Sequence, residues 1–315
     1  MFLIVQFGGL LLGISALNGV PPSILYGNQS AIAGGSGLGL LFYVASIAAF
    51  ALLLALIFKL YSGRRFLMLL EGIIIFITSI FVFLVIIGVL EGNAAQMVFG
   101  NGPIIEVIGA VVLSFALVAA KNRQPRLRNA TVIISSMGAG LVLGLFFTFP
   151  LALIFMGLLA IYDFIAVFIT KHMLTISNAA MSNNLAFFID ANEIEAVPKS
   201  YLSNTDLKEY AKIRPKIQAR FHATREFEKK SMFPIVANIG LGNGDLGVPL
   251  MVALSAYSMT QSFTLSLFII SGAALGLIIT MLILRKYKRA LPAIPPLLLG
   301  VLIGIGAYFA FSFIR

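Results

Sequence analysis

Leu153-Ile154-Phe155-Met156-Gly157-Leu158-Leu159-Ala160-Ile161-Tyr162-Asp163-Phe164-Ile165-Ala166-Val167-Phe168-Ile169 carries one charge, the carboxyl of Asp163, in an otherwise apolar run. A helix needs about 20 mostly apolar residues to cross roughly 30 Å of hydrocarbon, and this stretch with its flanks has that length. Working outward, the same pattern recurs along a chain of 315 residues that is 60% hydrophobic, with a mean hydropathy of +1.02. Such a composition excludes a soluble domain. Nine apolar stretches are legible, at about 1–18, 37–59, 66–90, 103–120, 129–147, 150–171, 233–256, 262–284 and 291–313. The predicted fold class is therefore an all-α membrane protein with nine transmembrane helices. The first stretch lacks the basic start and small-residue cleavage site of a signal peptide and reads as the first helix.

Lysine and arginine set the orientation, because cytoplasmic loops are enriched in them. Lys59, Arg64 and Arg65 form one cluster, Lys121, Arg123, Arg126 and Arg128 a second, and Arg285, Lys286, Lys288 and Arg289 a third, while 172–232 holds most of the rest. The alternate connections have none, so the N-terminus is expected in the cytoplasm and the C-terminus outside. The expected organisation is six helices in 1–171, a cytoplasmic connecting loop over 172–232 and three helices in 233–315, forming one integral membrane catalytic domain. The net charge of +10 then reports topology and contact with anionic lipid headgroups, with no need of a nucleic-acid partner.

The chain has no cysteine, which excludes disulfides, thiol catalysis and thiolate metal sites. Its two histidines, His172 and His222, both fall in the connecting loop, without the His-Glu-x-x-His spacing of a zinc protease and without a serine partner in the membrane.

Asp163 has a counterpart in Gly242-Asn243-Gly244-Asp245. A charged group at membrane depth costs about 2.5–3.5 kcal/mol on insertion scales and marks a functional site by default. Counted as helix at about 1.5 Å per residue, Asp163 lies roughly 12 Å in from Lys171 and Asp245 roughly 16 Å in from Pro234, so the two can meet. Two carboxyls in a low dielectric share one proton and divide the roles of acid and base. One takes a proton from water as the water attacks a peptide carbonyl, and the other stabilises the developing oxyanion. No metal or organic cofactor is required. The same pair would also serve as a proton relay in a transporter or channel, and the residues alone leave both uses open.

Gly242 and Gly244 strip side chains from beside Asp245 and let another backbone approach. Gly140-x-x-x-Gly144 and Gly272-x-x-x-Gly276 read instead as helix-packing faces. Pro292-Ala293-Ile294-Pro295-Pro296 prevents regular helical bonding at the start of the last span and favours an extended approach to it. Glu71 and Glu106 sit nearer span ends and read as interfacial anchors, Glu71 toward Arg64 or Arg65 and Glu106 toward outer water. In the connecting loop, read as a mobile connector, Asp206 is positioned to cap a helix through Leu207, Tyr210 and Ile213.

These elements together resemble the presenilin and signal peptide peptidase family of intramembrane aspartyl proteases. Tyr162-Asp163, Gly242-Asn243-Gly244-Asp245 as Gly-x-Gly-Asp, and Pro292-Ala293-Ile294 in place of Pro-Ala-Leu match in order and spacing. Asn243 stands where leucine is common, and Ile294 replaces the last leucine. The resemblance implies a catalytic dyad of Asp163 and Asp245, with Tyr162, Gly242, Asn243, Gly244, Pro292, Ala293 and Ile294 around the substrate. It also implies transmembrane proteins or peptides as substrates. The short chain is most similar to archaeal presenilin homologues, which implies a multi-pass protein of an archaeal plasma membrane that works without accessory subunits.

Overall fold

The computed structural model describes residues 1–18, 20, 64–99, 102–123, 127–169, 188–198, 232–287 and 292–314. The predicted span at 37–59, both histidines and the Asp206 cap lie outside them. The larger of two compact units comprises residues 1–188 and 242–315, and its described core is built of helices. Its helices are α1 (Phe2–Leu17), α2 (Arg64–Glu91), α3 (Ala94–Phe99), α4 (Ile104–Arg123), α5 (Arg128–Phe146), α6 (Phe149–Phe164), α7 (Asn243–Thr260), α8 (Phe263–Tyr287) and α9 (Ile294–Ile314). Six of these, α2, α4, α5, α6, α8 and α9, are long and apolar enough to cross a membrane, and α1 is a shorter apolar helix. The protein is thus a multi-pass integral membrane protein.

The smaller unit, residues 189–241, adds a short sheet to the helical membrane fold. Strand β1 (Phe188–Pro198) pairs with β2 (Met232–Gly242) in a two-stranded sheet. The stretch read as the seventh span therefore does not become helix at 233. Its first part carries Pro234, Gly240 and Gly242, which weaken a helix, together with β-branched Ile235, Val236 and Ile239, which favour a strand. Helix begins only at Asn243, so counting depth along a helix from Pro234 does not hold for Asp245.

Helix α7 is the centre of the helical unit and packs against α1, α5, α6, α8 and α9. Every residue from Leu246 to Ala256 is buried, as expected of a helix apolar on all sides. Small residues bring its neighbours close. A Cβ on Gly140 of α5 would fall 2.9 Å from the Gly247 carbonyl oxygen, and one on Gly144 would fall 3.0 Å from that of Met251. Gly9 and Gly13 of α1 receive Leu250 and Leu254. Between α8 and α9, Gly272 and Gly276 face the backbone of Gly300 and Pro296. Both Gly-x-x-x-Gly stretches are packing faces, as their spacing suggests.

At the end of α2, Gly92 takes φ 75°, and the amides of Gly92 and Asn93 return to the carbonyls of Val89 and Gly88, a C-terminal cap that favours glycine. Glu71 has a partner that its sequence neighbours do not suggest. It is 1% exposed and forms an ion pair with Lys121 of α4, which ties α2 to α4 inside the protein. Glu106 faces Glu91 and Asn93 at the other end of these helices.

Candidate active site

Asp163 is the penultimate residue of α6, and beyond it the helix widens into a π-helical turn over Ile165–Ile169. Such turns are rare and frequent at functional sites. Asp163 is half-buried and accepts a hydrogen bond from the amide of Ile294, the first residue of α9, at 3.2 Å. The amide of Ala293 acts on the same carboxylate. Pro292 and Ala293 lie outside the helix, as their sequence predicts, and the turn they make aims the Ile294 amide, which has no partner within α9, at Asp163.

Asp245 is the third residue of α7. Its Oδ2 accepts the amide of Gly242 at 3.1 Å, so this side chain caps the helix that carries it. Each carboxylate thus has one oxygen on a backbone amide at a helix N-terminus, where the partial positive charge of the peptide dipoles favours an anion. Asp163 also exerts its charge on Asp245, so the two carboxyls belong to one electrostatic site. They come from α6 and α7, which pack together.

The other expected site residues surround this pair. Tyr162 is exposed beside Asp163. Gly242 has φ −70° and ψ 153°, an extended geometry open to other residues, so its conformation does not demand glycine. Gly244 is exposed, and a Cβ there would meet nothing within 4 Å among the described residues. Asn243 is held by Ser136 of α5, whose hydroxyl donates to Oδ1 at 2.5 Å. Pro292 borders an apolar cavity of about 190 Å³ with Phe164, Phe168, Thr280, Ile283, Pro295 and Pro296.

Sequence reasoning missed two residues. Ser136 is one, and Gln6 of α1 is the other, its Nε2 donating to the Leu246 carbonyl at 2.7 Å. The available signal was an amide side chain in the interior of the first apolar stretch, where a polar group needs a partner.

Two aspartates at helix ends within an apolar helical bundle define the class: a multi-pass membrane protein with a paired-carboxyl site. The family described as "Signal-peptide peptidase, presenilin aspartyl protease" matches residues 1–314. The chain belongs to that family, and so is an aspartic endopeptidase of the intramembrane-cleaving type. Two solved structures of a presenilin family intramembrane aspartate protease share the fold. The one in space group C222 is 20% identical, with a TM-score of 0.53, covering 98% of this chain and 99% of its own. The one in space group P2 is also 20% identical, with a TM-score of 0.51 and coverage of 96% and 97%. No curated protein matches the sequence.

Proposed function

We propose that Asp163 and Asp245 are the catalytic dyad with which this protease hydrolyses peptide bonds inside the transmembrane helices of other membrane proteins. The observation that carries the reading is their common placement: two carboxyls on helices α6 and α7, which pack together, each with one oxygen on a helix-terminal amide. Family membership supports hydrolysis over proton relay as the use of such a pair.

The ionised carboxylate removes a proton from water, the water oxygen attacks the scissile carbonyl, and the protonated carboxyl donates to the carbonyl oxygen. Collapse of the tetrahedral diol breaks the C–N bond, and the proton gained by the base passes to the leaving amine. Holding one oxygen of each acid on an amide fixes the carboxyl planes and leaves the other oxygen for water or substrate. A transmembrane helix must unwind before its carbonyl is accessible. Gly242 and Gly244 give the unwound backbone room to approach, and the exposed Gly244 supports this role. Asn243, Tyr162, Pro292, Ala293 and Ile294 border the opening and contact the flanking side chains.

The protein works without accessory subunits, in the plasma membrane of an archaeon. It crosses nine times, with its N-terminus cytoplasmic and its C-terminus outside. The site then lies toward the cytoplasmic ends of α6, α7 and α9.

The test is cleavage of a single-pass substrate by purified protein in liposomes, with products mapped by mass spectrometry. Wild type cuts within the membrane segment, while Asp163→Asn and Asp245→Asn each lower the rate by at least about a thousandfold, within the range for loss of a general acid or base. Retention of cleavage by either variant refutes the dyad.

A further inference from the structure

We infer that Gln6 of α1 and Ser136 of α5 are positioning residues for Asp245, through their hydrogen bonds to Leu246 and Asn243. The inference rests on the dyad reading and explains how the second carboxyl is held in place.

The turn that carries Asp245 is weak by itself. It is the first turn of α7, where amides have no intrahelical partner. It contains Gly244 and follows Gly242, both costly in conformational entropy. Four residues after Asp245 comes Pro249, which lacks the N–H that would bond the Asp245 carbonyl in a regular helix. A turn built this way is free to shift unless other elements hold it.

Two side chains from two different helices hold it on either side of the acid. Ser136 Oγ donates to Asn243 Oδ1 at 2.5 Å, two residues before Asp245, and Gln6 Nε2 donates to the Leu246 carbonyl at 2.7 Å, one residue after. Both donors are 0% exposed. Their helices meet α7 through glycines, Gly9 and Gly13 in α1 and Gly140 in α5, so the backbones that carry the donors are held close to the one they bond.

Gln6 carries a cost that packing does not explain. Its Oε1 is buried with no hydrogen-bond partner among the described residues. A buried unpaired acceptor is unfavourable, and methionine or leucine would fill the same space without it. The donor on the same amide is what a hydrocarbon side chain cannot supply. Asp245 is thereby tied to α1 and α5, whereas Asp163 is tied to the start of α9. The relative placement of the two carboxyls depends on both ties.

The test uses the full chain in liposomes and measures kcat, KM and melting temperature for Gln6→Met, Ser136→Ala and Gln6→Glu, beside Asp163→Asn and Asp245→Asn. Gln6→Met and Ser136→Ala are expected to lower kcat on the order of tenfold, the equivalent of one neutral hydrogen bond, with KM within about twofold and the melting temperature near that of wild type. Gln6→Glu supplies a conditional donor. Protonated, its hydroxyl donates to the Leu246 carbonyl, and ionised, it repels that oxygen. Its kcat relative to wild type at the same pH should be highest at acid pH and fall as pH rises. That profile decides the matter if Gln6→Met does not fold.

Wild-type kcat in these variants, a rise in KM alone, loss of activity in step with loss of folded protein, or a flat pH ratio for Gln6→Glu would overturn the inference while leaving the dyad intact. Full activity in Asp163→Asn or Asp245→Asn would instead remove the dyad reading, and the inference with it.

Discussion

Asp163 and Asp245 stood out in the sequence because a carboxyl in an apolar run has no inexpensive explanation, but their partners did not. The amides that hold them belong to the backbone at Ile294 and Gly242, and backbone groups leave no signature in residue type. What Pro292-Ala293-Ile294 announced was a break in regular structure, and the structure adds that the break turns an amide toward Asp163. Replacement of Ile294 by proline isolates that amide. Proline is tolerated at the first position of a helix, and the next two residues of α9 are already proline, so the helix should still form while the donor disappears. A hydrogen bond to a charged group is worth about 1.5–3 kcal/mol, so kcat/KM for Ile294→Pro should fall by roughly ten- to a hundredfold. Ile294→Ala keeps the amide, and its kcat/KM should stay within a few-fold of wild type. Equal losses in the two variants would assign the effect to the side chain.

The helices themselves were legible wherever an apolar run was also a good helix former. The seventh was misread at its start, because apolar content continues through Phe233 and Ile239 while Pro234, Gly240 and Gly242 favour a strand. Hydropathy reports burial in either conformation and does not separate them. Glycine spacing separates better, and it yields opposite expectations at two positions. Gly140→Ala pushes a methyl against the Gly247 carbonyl and should destabilise the bundle by about 1–3 kcal/mol, lowering the melting temperature and with it the activity. Gly244→Ala meets no atom within 4 Å among the described residues and gains helix propensity of up to about 1 kcal/mol, so its melting temperature should hold or rise while cleavage falls as the methyl enters the substrate's path. A parallel fall in stability and cleavage at Gly244 would make it an ordinary packing residue. The tie between α2 and α4 was hidden for a different reason: Glu71 and Lys121 are far apart in sequence, and pairing across helices follows only from the fold. Lys121→Met removes one charged partner of the buried Glu71, and breaking a buried ion pair costs about 3–5 kcal/mol in general. Arg128, also within the field of Glu71, holds the loss toward the lower figure. Thermal denaturation should show that deficit in the single variant and its recovery in Glu71→Gln with Lys121→Met.

At the scale of the whole molecule, the fold and the charge pattern make one argument about how the chemistry faces the membrane. Lysine and arginine cluster beside the ends of α4 and α8 and the starts of α2 and α5, and the connections at the opposite ends are free of them. Asp163 near the end of α6, Asp245 near the start of α7 and Ile294 at the start of α9 all lie at the ends of their helices that the basic pattern assigns to the cytoplasm. On the proposed orientation the sidedness of cleavage follows from the sidedness of the loops, and the absence of cysteine permits a direct test. Single cysteines at Arg65, Arg126 and Lys288 should react with a membrane-impermeant maleimide only in vesicles whose cytoplasmic face is outward. Cysteines at Pro103 and Thr260 should react only in vesicles of the opposite orientation. If that pattern holds, the shorter fragment on the cytoplasmic side of a single-pass substrate should appear on the same face as the label at Lys288. Reaction of Thr260→Cys and Lys288→Cys from one face would mean that α8 returns to the side on which it began, and the nine-span topology would fail together with the cytoplasmic placement of the dyad.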